Sequence, residues 1–400
     1  MAFLTTKIPD LFAIPLAYSY LCSHKPKLYY MKRIFVLLTL SMLVVSMYAV
    51  TVRVGVLLPL KENTERGNTL VEFYRGVLMA VEQVKQEGTN VEVTAIDCGS
   101  SETGLREALH NPLLERLDVI FGPVDAVQVT SLSEFCREHR IRMVLPFNTP
   151  CPQVYSNPWI YQVGVAQELL YPNITSLLTS AIHNANFVFY RSGENDERGK
   201  SFSSHLSQVL SLKNIPTTEL KAGADEFALD LALNQYRHNI IVPDSRSQTA
   251  VSKLIATIRS YAASHPKYNI SLLGYPEWVS YTKSMLSDFY RYDTYVYATY
   301  YRNPLSGSVS KFEQQYKTNF GTASRLSFPR AEMLGYDLAY YFIAGLVLLG
   351  PDFEEAQPSL NFPTLQHGFQ FVRVGENGGF VNQHVQLVHY AKNRTIETIR

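Results

Sequence analysis

The sequence lacks the short motifs that mark common catalytic sites. No Gly-x-Gly-x-x-Gly follows the first apolar strand, and no Walker phosphate loop, Gly-x-Ser-x-Gly elbow or His-Glu-x-x-His pair occurs. The ten histidines are scattered without the regular spacing of metal ligands. We therefore expect no enzymatic activity, no metal site and no bound cofactor.

Cysteine is scarce, and so is any excess of charge. Of the four cysteines, Cys22 falls within the first fifty residues, which leaves Cys98, Cys136 and Cys151. Three thiols cannot all pair within one chain and their spacings match no zinc site, so we expect buried free thiols. The formal net charge is +1, which gives no electrostatic reason to expect nucleic acid as a partner.

The chain also lacks internal repeats and low-complexity segments. Tryptophan occurs only twice, whereas tyrosine (26) and phenylalanine (21) are plentiful. Four hundred residues are too many for one small core, so the length favours two lobes of ordinary domain size.

The first fifty residues have the pattern of an export signal. Met31-Lys32-Arg33 precedes an apolar run from Ile34 to Val50, as in a secretory signal peptide. We expect Met31 to be the initiator and residues 1–30 to be upstream sequence. The alternative is an uncleaved anchor, because about 17 apolar residues lie at the short limit for a membrane span. Both alternatives predict a protein of the periplasm or cell envelope.

The repeating unit of the chain is an apolar strand followed by a polar loop and an amphipathic helix. Its first copy opens with residues 52–60, in which strand formers fill both faces until Pro59 removes a backbone donor. Apolar residues then recur every three or four positions from Leu70 to Val84, before Gly88 ends the helix. In open α/β sheets, ligands bind at the carboxyl ends of the strands, where such loops gather.

This alternation continues along the chain and predicts an α/β protein with parallel sheets and right-handed crossovers. Further strands are predicted at 91–97, 117–121, 143–145, 187–190, 239–242, 271–274 and 295–300. Late helices are predicted at 309–320 and 331–349. Residues 369–374 and 385–390 are predicted to form a hairpin around the glycines at 375–379.

Five short segments occur in an order and at spacings that together are fairly specific. They are VGVLLPL at 54–60, RGVLMAV at 75–81, VIFGP at 119–123, LPFNT at 145–149 and GYDLA at 335–339. In these segments the chain resembles a type I periplasmic binding protein of the branched-chain amino-acid-binding branch, over about residues 52–400. GYPEW at 274–278 and the Gly378-Gly379-Phe380 turn are similar to a Bacteroidetes subgroup often linked to peptidoglycan-binding LysM modules, although no such module is visible here.

The resemblance implies two doubly wound parallel-sheet lobes joined by a hinge of three chain crossings. In this fold a ligand is trapped as the lobes close about the hinge. After the leader at 1–50, the first lobe is expected to comprise residues 52–164 and 301–366. The second is expected to comprise residues 165–300 and 367–400.

The first lobe supplies one half of the site that the resemblance implies. Amino-acid binders of the family hold the ligand carboxylate with loops after the third and fourth strands. Thr149, beside Asn148, stands where the family has a threonine, whereas Pro123-Val124-Asp125 stand where those binders offer serines. Asp125 would repel a carboxylate or demand a cation beside it, which argues against an ordinary α-amino acid as ligand.

Four further residues complete the candidate site because each follows the carboxyl end of a predicted strand. Asn63 belongs to the first lobe, and Arg191, Ser245 and Glu277 belong to the second. The resemblance places Glu277 near the family's acidic partner for an ammonium group. Arg191 would suit an anionic end of the ligand.

Several of these residues have a purely structural alternative. Asp125 could simply cap the helix that follows it. Tyr275 and Trp278 could pack against the hinge, and Arg191 and Arg246 could lie on solvated faces.

Two functions remain open at this stage. The first is an extracytoplasmic solute-binding protein that captures a small polar, amino-acid-like ligand between the lobes for an ABC-type transporter permease or a sensor. The second is a non-transport interaction protein of the cell envelope, such as a regulator of peptidoglycan synthesis. A cleft with a few convergent polar groups favours the receptor, whereas a cleft filled by its own side chains favours the interaction protein.

Overall fold

Two seven-stranded sheets with flanking helices organise residues 51–400, which are the part of the chain described by a computed structural model. The predicted leader and signal segment, residues 1–50, lies outside the described residues. From Val52 to Arg400 the chain forms one compact unit.

The first sheet is mainly parallel and has the order β11-β12-β5-β4-β3-β1-β2. Its strands are β1 (Thr51–Leu58), β2 (Asn90–Asp97), β3 (Val119–Phe121), β4 (Arg142–Leu145), β5 (Ile160–Gln162), β11 (Phe371–Arg373) and β12 (Phe380–Asn382). β1, β3, β4, β5 and β12 pair in parallel along this order, and β11 runs antiparallel to its neighbour β12. The inner strands β3 and β4 are buried along their whole length, as expected for strands covered on both faces.

The second sheet repeats this arrangement with the order β14-β13-β10-β9-β8-β6-β7. Its strands are β6 (Ala185–Arg191), β7 (Thr217–Lys221), β8 (His238–Pro243), β9 (Asn269–Gly274), β10 (Thr294–Ala298), β13 (Gln386–Tyr390) and β14 (Ile396–Ile399). β6 to β10 pair in parallel, and β13 and β14 close the sheet antiparallel. Both sheets confirm the predicted α/β class with mainly parallel strands.

Helices connect the strands and cover the sheets. The α-helices are α1 (Glu65–Gln86), α2 (Glu102–Leu109), α3 (Ala126–His139), α4 (Tyr171–Ala181), α5 (Glu197–Leu212), α6 (Glu226–Ala232), α7 (Gln248–Ser264), α8 (Thr282–Arg291), α9 (Gly307–Phe320), α10 (Ala331–Leu349) and α11 (Phe353–Ala356). Short 3-10 turns lie at Leu114–Arg116, Pro152–Tyr155, Gln167–Leu170, Pro276–Tyr281, Gly350–Asp352 and Gln357–Ser359. Most of the connections are parallel crossovers, so the loops that follow the strands gather at one edge of each sheet.

Helices α1 and α10 approach each other at backbone distance. A Cβ atom at Gly76 would lie 1.9 Å from the carbonyl oxygen of Glu332, and one at Gly335 would lie 2.1 Å from that of Phe73. Among the described residues, one helical segment, Ala331–Ser359, is long and apolar enough to cross a membrane, with a mean hydropathy of 1.5. Because α10 packs against α1 within the first lobe, its apolar side chains are largely buried in the protein.

Each sheet has its own hydrophobic core. Aromatic side chains such as Tyr161, Phe342 and Phe371 fill the core against the first sheet, and Phe202 and Trp278 lie in the core of the second. In the part of the chain that the structure describes, no buried apolar cluster joins the two cores. The lobes are therefore linked mainly through the chain itself.

The chain crosses between the sheets three times, and the last crossing corrects the sequence prediction. Residues 369–374 and 385–390 do not form a hairpin, because β11 pairs with β12, whereas β13 pairs with β10 and β14. Val374 and Gly379 close the turn through a 2.8 Å backbone hydrogen bond, and Phe380 then stacks on Tyr161 of β5 with ring centroids 4.6 Å apart.

This pairing also changes the expected boundary of the lobes. The sequence predicts that residues 367–400 belong to the second lobe, but β11 and β12 belong to the first sheet. The chain returns to the second sheet only between Asn382 and Gln386. The other lobe boundaries stay predictions.

Candidate functional site

In the first lobe, the acidic candidate Asp125 is already paired with a cation. Its carboxylate accepts a 2.8 Å hydrogen bond from Nη2 of Arg66, and Nη1 of the same guanidinium lies 3.7 Å from the carboxylate of Glu62. This hydrogen bond raises the pKa of Arg66. Asp125 occupies the N-cap position of α3, but its side chain makes no capping hydrogen bond and pairs with Arg66 instead.

Thr149 is also engaged, because it ties two loops together. Its buried hydroxyl donates a 3.2 Å hydrogen bond to the backbone carbonyl of Val124. Pro123 is buried after a cis peptide bond, whereas Asn63 and Asn148 are exposed at the ends of their strands. The five remaining first-lobe candidates therefore differ in exposure, and only the exposed side chains are accessible to a ligand.

In the second lobe, the acidic candidate Glu277 belongs to an ion-pair network centred on Arg246. Nη1 of Arg246 donates to Oε1 of Glu277 at 2.6 Å, and Nε contacts both carboxylate oxygens of Asp196 at 3.0 and 3.1 Å. The hydrogen bond to Asp196 is the main cause that raises the pKa of Arg246. Burial works against ionisation of Asp196, yet the bonds to Arg246 hold the pKa of Asp196 below its ordinary value.

Ser245 takes part in a second network at the same edge. Its buried hydroxyl donates to Oε2 of Glu194 at 2.7 Å, and the hydroxyl of Ser247 donates to the same oxygen at 2.5 Å. Both hydrogen bonds lower the pKa of Glu194, and the bond from Ser247 has the larger effect. The polar side chains in the loops at the carboxyl ends of the second sheet thus largely bond to one another.

Arg191 lies away from these networks. Its guanidinium pairs with Glu219 of the edge strand β7 at 2.5 Å and lies over the ring of Phe189. Both charged side chains are partly exposed, which agrees with the solvated-face alternative.

Tyr275 and Trp278 pack in the core of the second sheet rather than against the hinge. Both are buried, and the hydroxyl of Tyr275 donates to the carbonyl of Pro243 at 2.5 Å. Trp278 stacks on Phe289 with ring centroids 5.6 Å apart.

A cavity of about 350 Å³ lies where the three crossings meet, and we call it the hinge cavity. It is lined by Pro146, Phe147, Asn148, Val163, Gly164, Val165, Gln167, Leu170, Thr299, Tyr300, Phe328, Pro329, Leu334, His367, Asn382 and His384. Asn148 is the only one of the nine candidate residues that lines this cavity. The first crossing supplies residues 163–167, the second 299–300 and the third His384, so both lobes contribute to its walls.

The polar groups of the hinge cavity carry no formal charge. No Asp, Glu, Lys or Arg is among its lining residues. Within residues 51–400, the side chains of Asn148 and Gln167 and the hydroxyl of Tyr300 have no hydrogen-bond partner, and neither has the buried Nε2 of His384. These groups are available to donate to or accept from a ligand.

Two histidines at the cavity are held neutral. Burial lowers the pKa of His367 to about 3, with the neighbouring His384 adding to the effect. Burial likewise lowers the pKa of His384 to about 4, with Arg400 as the next cause. Neither histidine was predicted from the sequence, because β12, which ends two residues before His384, is too short to recognise, and His367 follows no strand directly.

A buried carboxylate fixes one wall of the cavity. Asp337 of α10 accepts backbone N–H bonds from Leu365, Gln366 and His367 at 2.7, 2.9 and 2.9 Å. Burial raises the pKa of Asp337 to about 7, although these three donors act in the opposite direction. His367 in turn bridges to Tyr300 of the second crossing, and their rings stack 5.1 Å apart.

The described residues hold no metal centre and no disulfide. No group of three or more His, Cys, Asp or Glu side chains among them is arranged to hold a metal ion. Cys98, Cys136 and Cys151 are buried free thiols, as predicted.

Comparison with known proteins bears on the fold rather than on a family. No family model matches the chain, and no curated protein matches it. A solved structure from Rhodospirillum rubrum, described provisionally as a branched-chain amino acid ABC transporter, aligns with 12% identity and a TM-score of 0.57 over 88% of this chain and 100% of that one. A branched-chain amino acid ABC transporter periplasmic ligand-binding protein from Burkholderia xenovorans LB400 aligns with 11% identity and a TM-score of 0.47 over 87% and 94%. The likeness to the first structure shows that the chain has the α/β type I periplasmic binding fold.

Proposed function

We propose that this protein is an extracytoplasmic solute-binding receptor that captures a small, uncharged polar ligand in the hinge cavity. The observation that carries the proposal is the cavity itself, because all three crossings contribute unpaired hydrogen-bonding groups to it. A ligand there would touch both lobes and would favour one hinge geometry over others. The receptor would pass its ligand to the permease of an ABC-type transporter or to a sensor.

The lining favours an uncharged ligand over a zwitterionic amino acid. A charged group that is buried without a partner is costly, and the cavity offers no side chain of opposite charge. The acidic candidates Asp125 and Glu277 already hold Arg66 and Arg246. The rings of Phe147 and Tyr300 instead offer apolar faces beside amide and hydroxyl groups, which suits a neutral molecule with an apolar face.

Native mass spectrometry of freshly purified protein tests the proposal first, followed by calorimetry with the molecule identified. We expect an uncharged copurified ligand. Asn148→Ala removes one direct hydrogen bond and should weaken binding by about 1 kcal/mol, or roughly fivefold. The separate variant Gly164→Ala should weaken binding more than Asn148→Ala does, because the Cβ of the new alanine would lie 2.0 Å from Oδ1 of Asn148.

Arg191→Ala is the matched control, since this side chain pairs with Glu219 away from the cavity. The Arg191→Ala protein should bind the copurified ligand with the same affinity as the parent protein. A ligand with a net charge would contradict the proposed ligand class. Unchanged affinity in both cavity variants would contradict the proposed site.

A second function has one specific observation in its favour. The loops at the carboxyl ends are filled by their own ion pairs, as in the networks of Arg66 and Arg246, which suits a non-transport interaction protein of the cell envelope. Such a protein, for example a regulator of peptidoglycan synthesis, would yield no copurified ligand. Cross-linking in intact cells would then join it to a single envelope protein. With either function we also propose that the protein is exported, that it is cleaved near residue 50, and that it is related to the Bacteroidetes subgroup.

A further inference from the structure

Helix α8 carries a basic stripe on its exposed face. Lys283, Ser287 and Arg291 are exposed and follow one another at intervals of four residues, so they lie on one side of the helix. Arg291 has one distant carboxylate neighbour, Asp288, at 4.0 Å. Among residues 51–400, no carboxylate lies within ion-pair distance of Lys283.

The turn between β13 and β14 adds two more cations opposite this stripe. Lys392 and Arg394 are exposed, and together with α8 they line a groove of about 760 Å³. The ammonium of Lys392 donates to the neutral amide of Asn269 at 2.9 Å, and the backbone N–H of Lys392 donates to the carboxylate of Asp293 at 3.3 Å. Four cations and no carboxylate are among the residues that line the groove, so its potential is positive.

An apolar cavity of about 310 Å³ adjoins this basic groove. Thr282 and Leu286 of α8 line both, so the two concave surfaces are continuous. Leu326 lines the apolar cavity although 89% of its own surface is exposed, and Leu305, next to the lining residue Pro304, is 79% exposed. These leucines project into solvent from loops rather than closing over a core.

The two arginines that line the apolar cavity are neutralised by ion pairs, so the excess positive charge is confined to the basic groove. Arg302 pairs with Glu313 at 2.6 Å, and Arg330 pairs with the buried Glu332 at 2.7 Å. The surface therefore divides into a basic part and a neutral, apolar part.

We propose that this surface, from the α8 stripe and the β13–β14 turn to Leu305 and Leu326, docks onto an anionic lipid bilayer. The exposed cations match acidic headgroups, and exposed leucines beside them match the boundary between headgroups and acyl chains. An acidic peptide would account for the cations but would leave the projecting leucines in water. The proposal does not depend on the hinge cavity.

Flotation with lipid vesicles tests the proposal on residues 51–400, which hold both sheets in one compact unit and exclude the apolar run before them. Binding is expected to phosphatidylcholine vesicles that contain phosphatidylglycerol, to be weakened by salt, and to be absent with phosphatidylcholine alone. Lys283→Gln and Arg394→Gln should each lower the partition coefficient roughly fivefold. Leu305→Ser with Leu326→Ser should lower it as well.

Matched controls lie at the opposite edge of the same sheet. Lys213→Gln, Lys221→Gln and Leu212→Ser change exposed residues near β7 and should leave vesicle binding unchanged. Circular dichroism confirms that each variant is folded. No binding to anionic vesicles, equal binding to neutral ones, or equal losses in the control variants would overturn the proposal. So would binding of soluble polyglutamate without binding of vesicles.

Discussion

At the scale of single residues, the hinge cavity makes the stability of the protein depend on pH. His367 and His384 are held neutral by burial when the chain is folded, but both can take up protons when it unfolds. Between about pH 6.5 and pH 4 these two imidazoles therefore bind more protons in the unfolded chain than in the folded one, whereas Asp337, whose pKa burial raises to about 7, binds more in the folded chain. The two histidines therefore make the free energy of unfolding fall as the pH falls through this window, and Asp337 works in the opposite direction.

We expect each of these histidines to contribute a slope of up to about 1.4 kcal/mol per pH unit. Urea unfolding at several pH values between 7 and 4.5 measures that slope. His367→Asn should make it shallower whatever its effect on stability at pH 7. His110→Asn, at an exposed position, is the control. A slope that is identical in parent and His367→Asn would contradict the prediction.

The candidate site shows how far single residues can be placed from a sequence. The position of Asn148 after a strand was enough to bring it to the cavity, because strand ends share one edge of a sheet. The pairing of Asp125 with Arg66 joins residues 59 positions apart, and no periodicity reveals such a contact. His367 reaches the cavity because Asp337 holds its backbone, which only tertiary structure discloses.

At the scale of elements, two glycines set the distance between α1 and α10. Both belong to segments that carry the family resemblance, and the structure gives the physical reason for them. A side chain at Gly76 or Gly335 would collide with a backbone carbonyl of the other helix, which cannot move aside as a flexible side chain can. The apolar faces of both helices pack closely only because these positions lack a Cβ.

Gly335→Ala should therefore lower the free energy of unfolding by about 1–3 kcal/mol, the usual cost of overpacking a core. Gly307→Ala is the matched control, because it lies in the first turn of α9 and its Cβ would meet nothing within 4 Å. That control should be neutral or slightly stabilising, since alanine favours the helix. Urea unfolding of both variants makes the comparison, and equal stability of the two would refute the packing argument.

The elements that sequence patterns predicted are those with long apolar runs. The inner strands of both sheets were recognised because their faces are buried on both sides. The edge strand β7 (Thr217–Lys221) was missed because only Leu220 in it is buried. β12 is three residues long, too short to show a period, and so the hairpin was assigned to the wrong partner.

At the scale of the whole molecule, the two lobes have separate cores and should unfold separately. The two tryptophans report on them individually: Trp159 precedes β5 of the first sheet, and Trp278 is buried in the core of the second. We expect Trp159→Phe and Trp278→Phe proteins to show different fluorescence midpoints in urea. Such behaviour departs from a two-state transition.

A core substitution tests this independence. Leu254→Ala, in the second core, should cost about 2–5 kcal/mol there and lower the midpoint reported by Trp278. The midpoint reported by Trp159 should stay where it was. Coincident midpoints that move together in every variant would show that the lobes unfold as one unit.

The third crossing has a consequence for how the chain is made. β11 and β12 complete the first sheet and β13 and β14 the second, and all four come from one segment, residues 371–399, which follows all the other strands. Until a ribosome has released that stretch, β5 and β10 are open edges, ready to pair with other strands. A nascent chain therefore cannot finish its first lobe while the second is still being translated. Both lobes must wait for the same segment, residues 371–399, and a chain that lacks it leaves both sheets unfinished.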